Sequence, residues 1–207
     1  MVILGAGGLA KEVATVLLWD NYEKDIVFFD NISKVIDSNI VSKFKVLTSE
    51  SQLKGYFQKI DNAYCIGVGN PRNRQKLSQL AMRNGGKAYC LISSNTLVGQ
   101  FGTEIAKGST ILSGATITAS VSIGCGSLIN KNCILSHDVK IGDYVEISPD
   151  VKILGNVKIG SYTSIGTGAI ILPKITVGVN CVIGAGSVVT KDVPDNTTVV
   201  GVPAKVR

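Results

Sequence analysis

Residues 139–160 read VKIGDYVEISPDVKILGNVKIG, and an isoleucine returns at every sixth position of this stretch. The same spacing continues on both sides without a break in register. The apolar residues of the series are Ile105, Ile111, Ile117, Ile123, Ile129, Leu135, Ile141, Ile147, Ile153, Ile159, Ile165, Ile171, Val177, Ile183 and Val189. A period of six fits neither an α-helix nor the simple alternation of a β-hairpin, whereas short fixed repeats are typical of solenoids.

A second position of the repeat is also restricted, four residues after the apolar one. It holds small or β-branched residues, namely Ser109, Ala115, Val121, Ser127, Cys133, Val139, Val151, Val157, Thr163, Ala169 and Ser187. We therefore predict a triangular parallel β-helix in which each hexapeptide forms one side and three hexapeptides form one turn. Its narrow interior explains why only 6% of the chain is aromatic while 45% is hydrophobic.

The first half of the chain has a different pattern, in which short apolar strands alternate with helical spacing. Strands are predicted at 1–4, 26–29 and 63–68, and helices after 5–8 and over 75–82. This order predicts a small, Rossmann-like, doubly wound parallel sheet. We accordingly predict two domains, an α/β domain at 1–92 and a β-helix at 93–207.

Composition excludes several classes of protein. The formal charge of +6 is spread along the chain without a dense basic run, so a nucleic-acid partner is not expected. No apolar run is long enough to span a membrane and no signal peptide is evident, so we expect a cytoplasmic protein without a membrane partner. The five cysteines are widely spaced and form no CxxC, which fits neither a disulfide framework nor a metal site.

Three stretches carry a resemblance to a known family. They are Gly5-Ala6-Gly7-Gly8-Leu9-Ala10-Lys11-Glu12, Ser136-His137-Asp138 and Val199-Val200-Gly201-Val202-Pro203-Ala204-Lys205. With the repeat, they resemble the hexapeptide-repeat acetyltransferases that include sialic acid O-acetyltransferases and UDP-4-amino-sugar and perosamine N-acetyltransferases. The resemblance implies a left-handed coil and a homotrimer with active sites between subunits.

The activity that the resemblance implies is acetyl transfer from acetyl-CoA, without a metal, to a nucleotide-linked 4-amino-4,6-dideoxy sugar in bacterial surface glycan biosynthesis. Two alternatives stay open: a sugar O-acetyltransferase of the sialic acid type, and a non-catalytic trimeric module that binds a nucleotide. A γ-type carbonic anhydrase is excluded, because its zinc needs three histidines and the chain has one.

His137, the only histidine, is the predicted catalytic base. Acetyl transfer needs a group that takes the proton of the attacking amine or hydroxyl, and an imidazole suits this task near neutral pH. The repeat places His137 near a corner of the coil and not inside it. The resemblance implies that the acidic residue after the base, here Asp138, increases its basicity.

The resemblance also assigns the two binding sites. The sugar nucleotide is implied at Gly7, Gly8, Leu9, Asp30, Asn31, Gly69, Asn70 and Arg74. Glycines let a backbone approach phosphate at a helix N-terminus, and an acid after the second strand can bind ribose. Relatives often carry His in place of Leu9, so a side-chain contact there is lost or replaced. Arg74 could reach a diphosphate, although an ordinary solvated helix residue fits the sequence equally well.

Acetyl-CoA is implied at Glu146, Gly155, Thr167 and Ala185. Glu146 departs from the family, in which a histidine is common at that position. We further predict that the backbone N–H of Gly155 stabilises the oxyanion that develops during acyl transfer.

Overall fold

The computed structural model describes residues 1–207. The first half contains a five-stranded parallel sheet with the strand order β3-β2-β1-β4-β5, which confirms the doubly wound prediction. Its elements are β1 (Val2–Leu4), α1 (Gly8–Trp19), β2 (Val27–Phe29), α2 (Ser38–Val41), β3 (Lys45–Leu47), α3 (Glu50–Lys59), β4 (Ala63–Ile66), α4 (Pro71–Arg83) and β5 (Lys87–Ala88). The order reverses between β1 and β4, and a crevice is expected at the carboxyl ends of these strands.

The helices cover both faces of this sheet. The apolar residues Ala10, Val13 and Leu17 of α1 pack on one face, while Leu53 of α3 and Ala81 of α4 belong to the cluster on the other. None of the four helices is both long and apolar enough to span a bilayer.

The second half is the predicted left-handed parallel β-helix. Its strands are β6 (Leu91–Ile92), β7 (Leu97–Val98), β8 (Glu104–Ile105), β9 (Thr110–Ile111), β10 (Thr116–Ile117), β11 (Ser122–Ile123), β12 (Leu128–Ile129), β13 (Ile134–Leu135), β14 (Lys140–Ile141), β15 (Glu146–Ile147), β16 (Lys152–Ile153), β17 (Lys158–Ile159), β18 (Ser164–Ile165), β19 (Ile170–Ile171), β20 (Thr176–Val177), β21 (Val182–Ile183), β22 (Val188–Val189), β23 (Thr198–Val200) and β24 (Lys205–Val206). From β9 to β19 each strand pairs in parallel with the strand one turn, or 18 residues, further along.

The coil has three faces, which we name by what they carry. The domain face contains the sheet β24-β23-β21-β18-β15-β12-β9-β6, the apolar face β22-β19-β16-β13-β10-β7, and the charged face β20-β17-β14-β11-β8. The interior is a continuous apolar core, and only Ile105 of the predicted series is not fully buried.

The second inward position is also confirmed. All of its predicted residues are completely buried, and the polar ones are satisfied by hydrogen bonds. The hydroxyls of Ser109, Ser127 and Thr163 donate to backbone carbonyls one turn away, at 3.0, 2.8 and 2.9 Å. Because a buried hydroxyl is costly only when it lacks a partner, small polar residues are tolerated inside the coil.

The two halves share one junction. Leu91, Leu112 and Leu128 on the domain face pack into the same cluster as α1, and Lys131 of the coil forms an ion pair with Glu12 at 2.7 Å. The division at residues 92 and 93 stays a prediction; β6, at 91–92, already pairs with β9 of the coil.

Candidate active site

His137 lies in a turn at one corner of the coil, between the apolar and the charged face. We call this column of stacked turns the His137 corner; it contains Ala119-Ser120, His137-Asp138, Gly155-Asn156 and Pro173-Lys174. The backbone N–H of Asp138 donates to the carbonyl of Ala119, and the N–H of Asn156 donates to that of His137, both at 3.0 Å. The backbone of the turn is therefore fixed from above and below, while 62% of the His137 side chain is exposed.

Asp138 orients the imidazole. Its Oδ2 lies 2.8 Å from Nδ1 of His137. An ionised carboxylate can only accept a hydrogen bond, so Nδ1 is the donor and Nε2 of the neutral ring is left with a free lone pair. Asp138 adopts a left-handed conformation with φ of 61°, which aspartate tolerates better than most residues.

Gly155 provides the surface on which the imidazole rests. A Cβ atom at this position would lie 2.6 Å from both Cε1 and Nε2 of His137. Such a contact is impossible without movement, so only glycine allows the ring to occupy this place.

The second part of the candidate site is a cleft of about 270 Å³ in the α/β half, at the predicted crevice. It lies beyond the carboxyl ends of β1, β2 and β4, where Gly5, Asp30 and Val68 line it. Of the predicted substrate residues, Asp30 and Asn31 line this cleft.

Asp30 is held in place by its own loop. Its Oδ1 accepts hydrogen bonds from the backbone N–H groups of Ile32 and Ser33 at 3.0 and 2.9 Å, and its Oδ2 accepts one from the Ser33 hydroxyl at 2.8 Å. Burial alone would raise the pKa of Asp30, but these hydrogen bonds outweigh it and the pKa is lowered. The group is therefore a carboxylate with lone pairs left to accept from a ligand.

The glycine-rich turn lies beside the cleft. Gly7 and Gly8 are exposed and Leu9 is half-buried. Helix α1 has no side-chain cap and no acid in its first turn, so its first N–H groups are available to an anion. Gly69 is half-buried, and Asn70 caps α4 by accepting a hydrogen bond from the N–H of Asn73 at 3.1 Å.

Arg74 does not lie on a ligand-accessible surface, which corrects both interpretations of the sequence. Its side chain is completely buried, so it is neither solvated nor free to contact a diphosphate. Its guanidinium donates instead to backbone carbonyls of both halves, including Gly126 at 2.7 Å and Val68 at 2.8 Å. Burial lowers the pKa of Arg74 to about 9, and the nearby charge of Glu146 opposes this shift.

Besides Ser33, two polar residues of the cleft were not predicted from the sequence, Asn73 and Lys76. Both lie on α4, one helical turn apart, and Asn70, the N-cap of this helix, lies three positions before Asn73. Extending the predicted helix to its true start at Pro71 would have placed Asn73 and Lys76 on one face.

The predicted acetyl-CoA residues lie at three separate places on one chain. Gly155 is at the His137 corner, whereas Thr167 and Ala185 are exposed at the corner between the domain and apolar faces. Glu146 is half-buried on the domain face, where its Oε1 accepts from the Ser148 hydroxyl at 2.8 Å. Burial raises the pKa of Glu146, although the Ser148 hydrogen bond and the charge of Arg74 oppose the shift.

Comparisons with known proteins agree with this architecture. The family model described as PglD N-terminal domain matches residues 1–80, and the model described as bacterial transferase hexapeptide (six repeats) matches residues 120–155 and 156–191. No curated protein sequence matches the chain.

Solved structures match over the whole chain. The acetyltransferase domain of PglB from Neisseria gonorrhoeae is 30% identical, with a TM-score of 0.90, and the alignment covers 100% of this chain and 98% of that one. This chain belongs to the hexapeptide-repeat sugar acetyltransferases. WeeI from Acinetobacter baumannii is also 30% identical, with a TM-score of 0.88 and coverage of 100% and 98%.

A third structure of this acetyltransferase family contains CoA together with a sugar nucleotide. It is a histidine-to-asparagine variant of perosamine N-acetyltransferase from Caulobacter crescentus, in complex with CoA and GDP-perosamine. It is 28% identical, with a TM-score of 0.89 and coverage of 100% and 95%.

In this acetyltransferase the coil carries the groups suited to acyl transfer, and the α/β half carries the groups suited to binding a ligand. The His137 corner has an imidazole with a free Nε2 and the N–H of Gly155, which makes no hydrogen bond within the chain. The cleft has a carboxylate, amides and a lysine, which suit a polar, anionic ligand. No three His, Cys, Asp or Glu side chains converge as metal ligands would.

Proposed function

We propose that this acetyltransferase transfers the acetyl group of acetyl-CoA to the amine of a nucleotide-linked 4-amino-4,6-dideoxy sugar, in bacterial surface glycan biosynthesis. The observation that carries the proposal is the His137 imidazole, oriented by Asp138 at 2.8 Å and seated on Gly155. The perosamine N-acetyltransferase, which this chain matches along its whole length, supports the class of acceptor.

In the proposed reaction, Nε2 of His137 takes a proton from the acceptor amine as its nitrogen attacks the thioester carbonyl. The N–H of Gly155 donates to the developing oxyanion. The tetrahedral intermediate then collapses, the carbon–sulfur bond breaks, and the CoA thiolate leaves with the electron pair and takes up the proton from His137. Asp138 stabilises the imidazolium that exists between these two proton transfers.

The proposal includes a homotrimer whose active sites lie between subunits. The His137 corner is the corner opposite the domain face, to which the α/β half is attached. A sugar nucleotide in the cleft of one chain is therefore on the wrong side of the coil for the His137 of that chain. A neighbouring subunit can supply the histidine, which completes the site.

The faces of the coil support this assembly. The outward residues of the apolar face include Leu97, Ile134 and Val188, whereas the charged face presents Glu104, Lys140 and Lys158. Leu97 is 71% exposed in the single chain. We expect subunits to bury the apolar face and leave the charged face in solvent. We place this trimer in the cytoplasm, without nucleic-acid or membrane partners.

The test measures CoA thiol release with a panel of UDP-, GDP- and dTDP-linked 4-amino sugars, CMP-sialic acid and free sialic acid. We expect turnover with one amino sugar and a fall in kcat of about 10²- to 10⁴-fold in both His137→Ala and His137→Asn. Turnover only with a sialic acid would establish O-acetylation instead. Full activity in both variants would remove His137 from the mechanism, and saturable nucleotide binding without any turnover would favour the non-catalytic module.

A further inference from the structure

Helix α4 joins the cleft to the coil. Its residues Asn73 and Lys76 line the cleft, while Arg72 and Gln75 contact the coil. The guanidinium carbon of Arg72 lies 4.1 Å from the centre of the Tyr162 ring, and Nε2 of Gln75 donates to the Tyr162 hydroxyl at 2.8 Å. The helix that forms one wall of the cleft is thus seated directly on the coil.

Arg74, on the same helix, connects the coil to the sheet of the α/β half through the hydrogen bonds of its guanidinium. Toward the coil, Nε donates to the carbonyl of Gly126 at 2.7 Å, and Nη2 lies 3.4 Å from the carbonyl of Ser127 and from the Thr110 hydroxyl. Toward the sheet, Nη1 donates to the carbonyls of Val68 at 2.8 Å and Ile66 at 3.4 Å.

The two carbonyls on the sheet side belong to the end of β4 and the loop that follows it. Val68 lines the cleft, and Gly69 and Asn70 continue from it into α4. One rigid, planar group therefore fixes the distance between this wall of the cleft and a turn of the coil. A lysine has the same charge but cannot form this fork, because its ammonium is a single point donor.

The surroundings of Arg74 fit a role in positioning. The side chain is completely buried, and such a charge is tolerated only where hydrogen bonds and a counter-charge compensate it. The carbonyls supply the hydrogen bonds, and Glu146, half-buried on the domain face, is the acid whose charge acts on it.

We propose that Arg74 is a positioning residue for the sugar nucleotide, which holds the wall of the cleft at Val68 in a fixed place relative to the coil. The inference rests on the proposed function, since it assumes that the cleft binds the acceptor. It assigns Arg74 no contact with either substrate. Replacing Arg74 should therefore weaken the binding of the acceptor and leave the binding of acetyl-CoA unchanged.

The test compares Arg74→Lys and Arg74→Gln with Gln75→Met, a matched control that removes a coil contact of α4 without touching Val68. With the acceptor that the wild type uses, we expect the KM for acceptor to rise about tenfold in both Arg74 variants, because a displaced contact of this kind costs up to about 10²-fold. The KM for acetyl-CoA should change less than twofold, and Gln75→Met should leave both constants within twofold of wild type. Equal rises in both KM values, or an unchanged KM for acceptor, would overturn the inference.

A second measurement uses the wild-type protein and does not depend on folding of the variants. Amide hydrogen exchange is followed with and without UDP or GDP, whichever binds more tightly. We expect the nucleotide to slow exchange both at 67–70 and at 125–128, because Arg74 joins these segments. Protection confined to 67–70 would contradict the proposed role, whereas absence of nucleotide binding and of turnover in the wild type would refute the proposed function itself.

Discussion

The His137 corner and the Asp30 cleft hold their functional groups by different means. At the corner, each turn is fixed by backbone hydrogen bonds to the turns above and below it, so the backbone stays the same while the side chain changes. Its first position is occupied in succession by Ala119, His137, Gly155 and Pro173. In the cleft, Asp30 depends on hydrogen bonds from its own loop, and the wall at Val68 depends on one buried arginine.

Because the two sites are held differently, we expect mutations at the His137 corner and in the cleft to have different effects. A substitution at the corner changes the chemistry without disturbing the backbone that carries it, so we expect kcat to fall while stability is kept. A substitution in the cleft removes a side chain that is also a structural support, so we expect it to change acceptor binding and stability together.

Among substitutions that leave His137 itself in place, the largest effect is expected for Gly155→Ala. The new Cβ would lie 2.6 Å from Nε2 and Cε1 of His137 and displace the imidazole, so kcat should fall about tenfold to a hundredfold. Thermal unfolding should change little, because an alanine already occupies the same corner position at Ala119. The measurement is CoA thiol release at saturating substrates.

A double variant makes this prediction specific. In a His137→Ala background the clash no longer exists, so Gly155→Ala should have almost no further effect on the residual rate. Additive losses in the double variant would show that the new Cβ acts independently of the imidazole, for example by hindering the approach of the thioester carbonyl to the Gly155 N–H.

Asp138→Asn is expected to lower kcat about tenfold. The amide oxygen can still accept from Nδ1 of His137, and asparagine tolerates the φ of 61°, but a neutral partner stabilises the imidazolium less than a carboxylate does. Asp150→Asn is the matched control, because Asp150 is also an exposed corner residue, with φ of 62°. If both variants lost the same activity, the effect would come from the coil and not from the His137 pair.

The same difference explains what could be predicted from the sequence. In the coil, one period of six determines which side chains point inward, and it places His137 outside at a corner. In the α/β half, short strands and helices alternate and no single period runs through them, and the direction of Arg74 depends on carbonyls up to 53 residues away. The strands at 45–47 and 87–88 were not predicted either, because two or three residues carry too little pattern.

Asp30→Asn is expected to raise the KM for acceptor about fivefold with kcat nearly unchanged, because the loss of charge weakens a hydrogen bond to a ligand hydroxyl. Asp37→Asn is the control, since Asp37 also accepts from a backbone N–H, that of Asn39, at 2.8 Å but lies outside the cleft. An equal rise in KM in both variants would contradict a specific role for Asp30.

The lowered pKa of Asp30 adds a stability prediction. A group whose pKa is lower in the folded state stabilises the fold above its ordinary pKa, and this contribution is lost as the pH falls through the lowered value. Wild type should therefore exceed Asp30→Asn in free energy of unfolding by up to about 1 kcal/mol at neutral pH, a limit set by partial exposure of the carboxylate. Urea unfolding across the acid range should show the difference disappearing; a constant difference would mean that the charge is not its source.

Lys76→Gln is expected to have the smallest effect, about a threefold rise in the KM for acceptor. Lys76 is exposed at the rim of the cleft, so its attraction for a diphosphate is weakened by solvent and salt. The rise should shrink when the ionic strength is increased from 0.05 to about 0.5 M, because the Debye length then falls below 10 Å. Lys54→Gln, an exposed lysine on α3 that does not line the cleft, should leave the KM unchanged at both salt concentrations. If the effect of Lys76→Gln were independent of salt, Lys76 would act through a hydrogen bond to the acceptor, and the cleft would hold this group as rigidly as the corner holds His137.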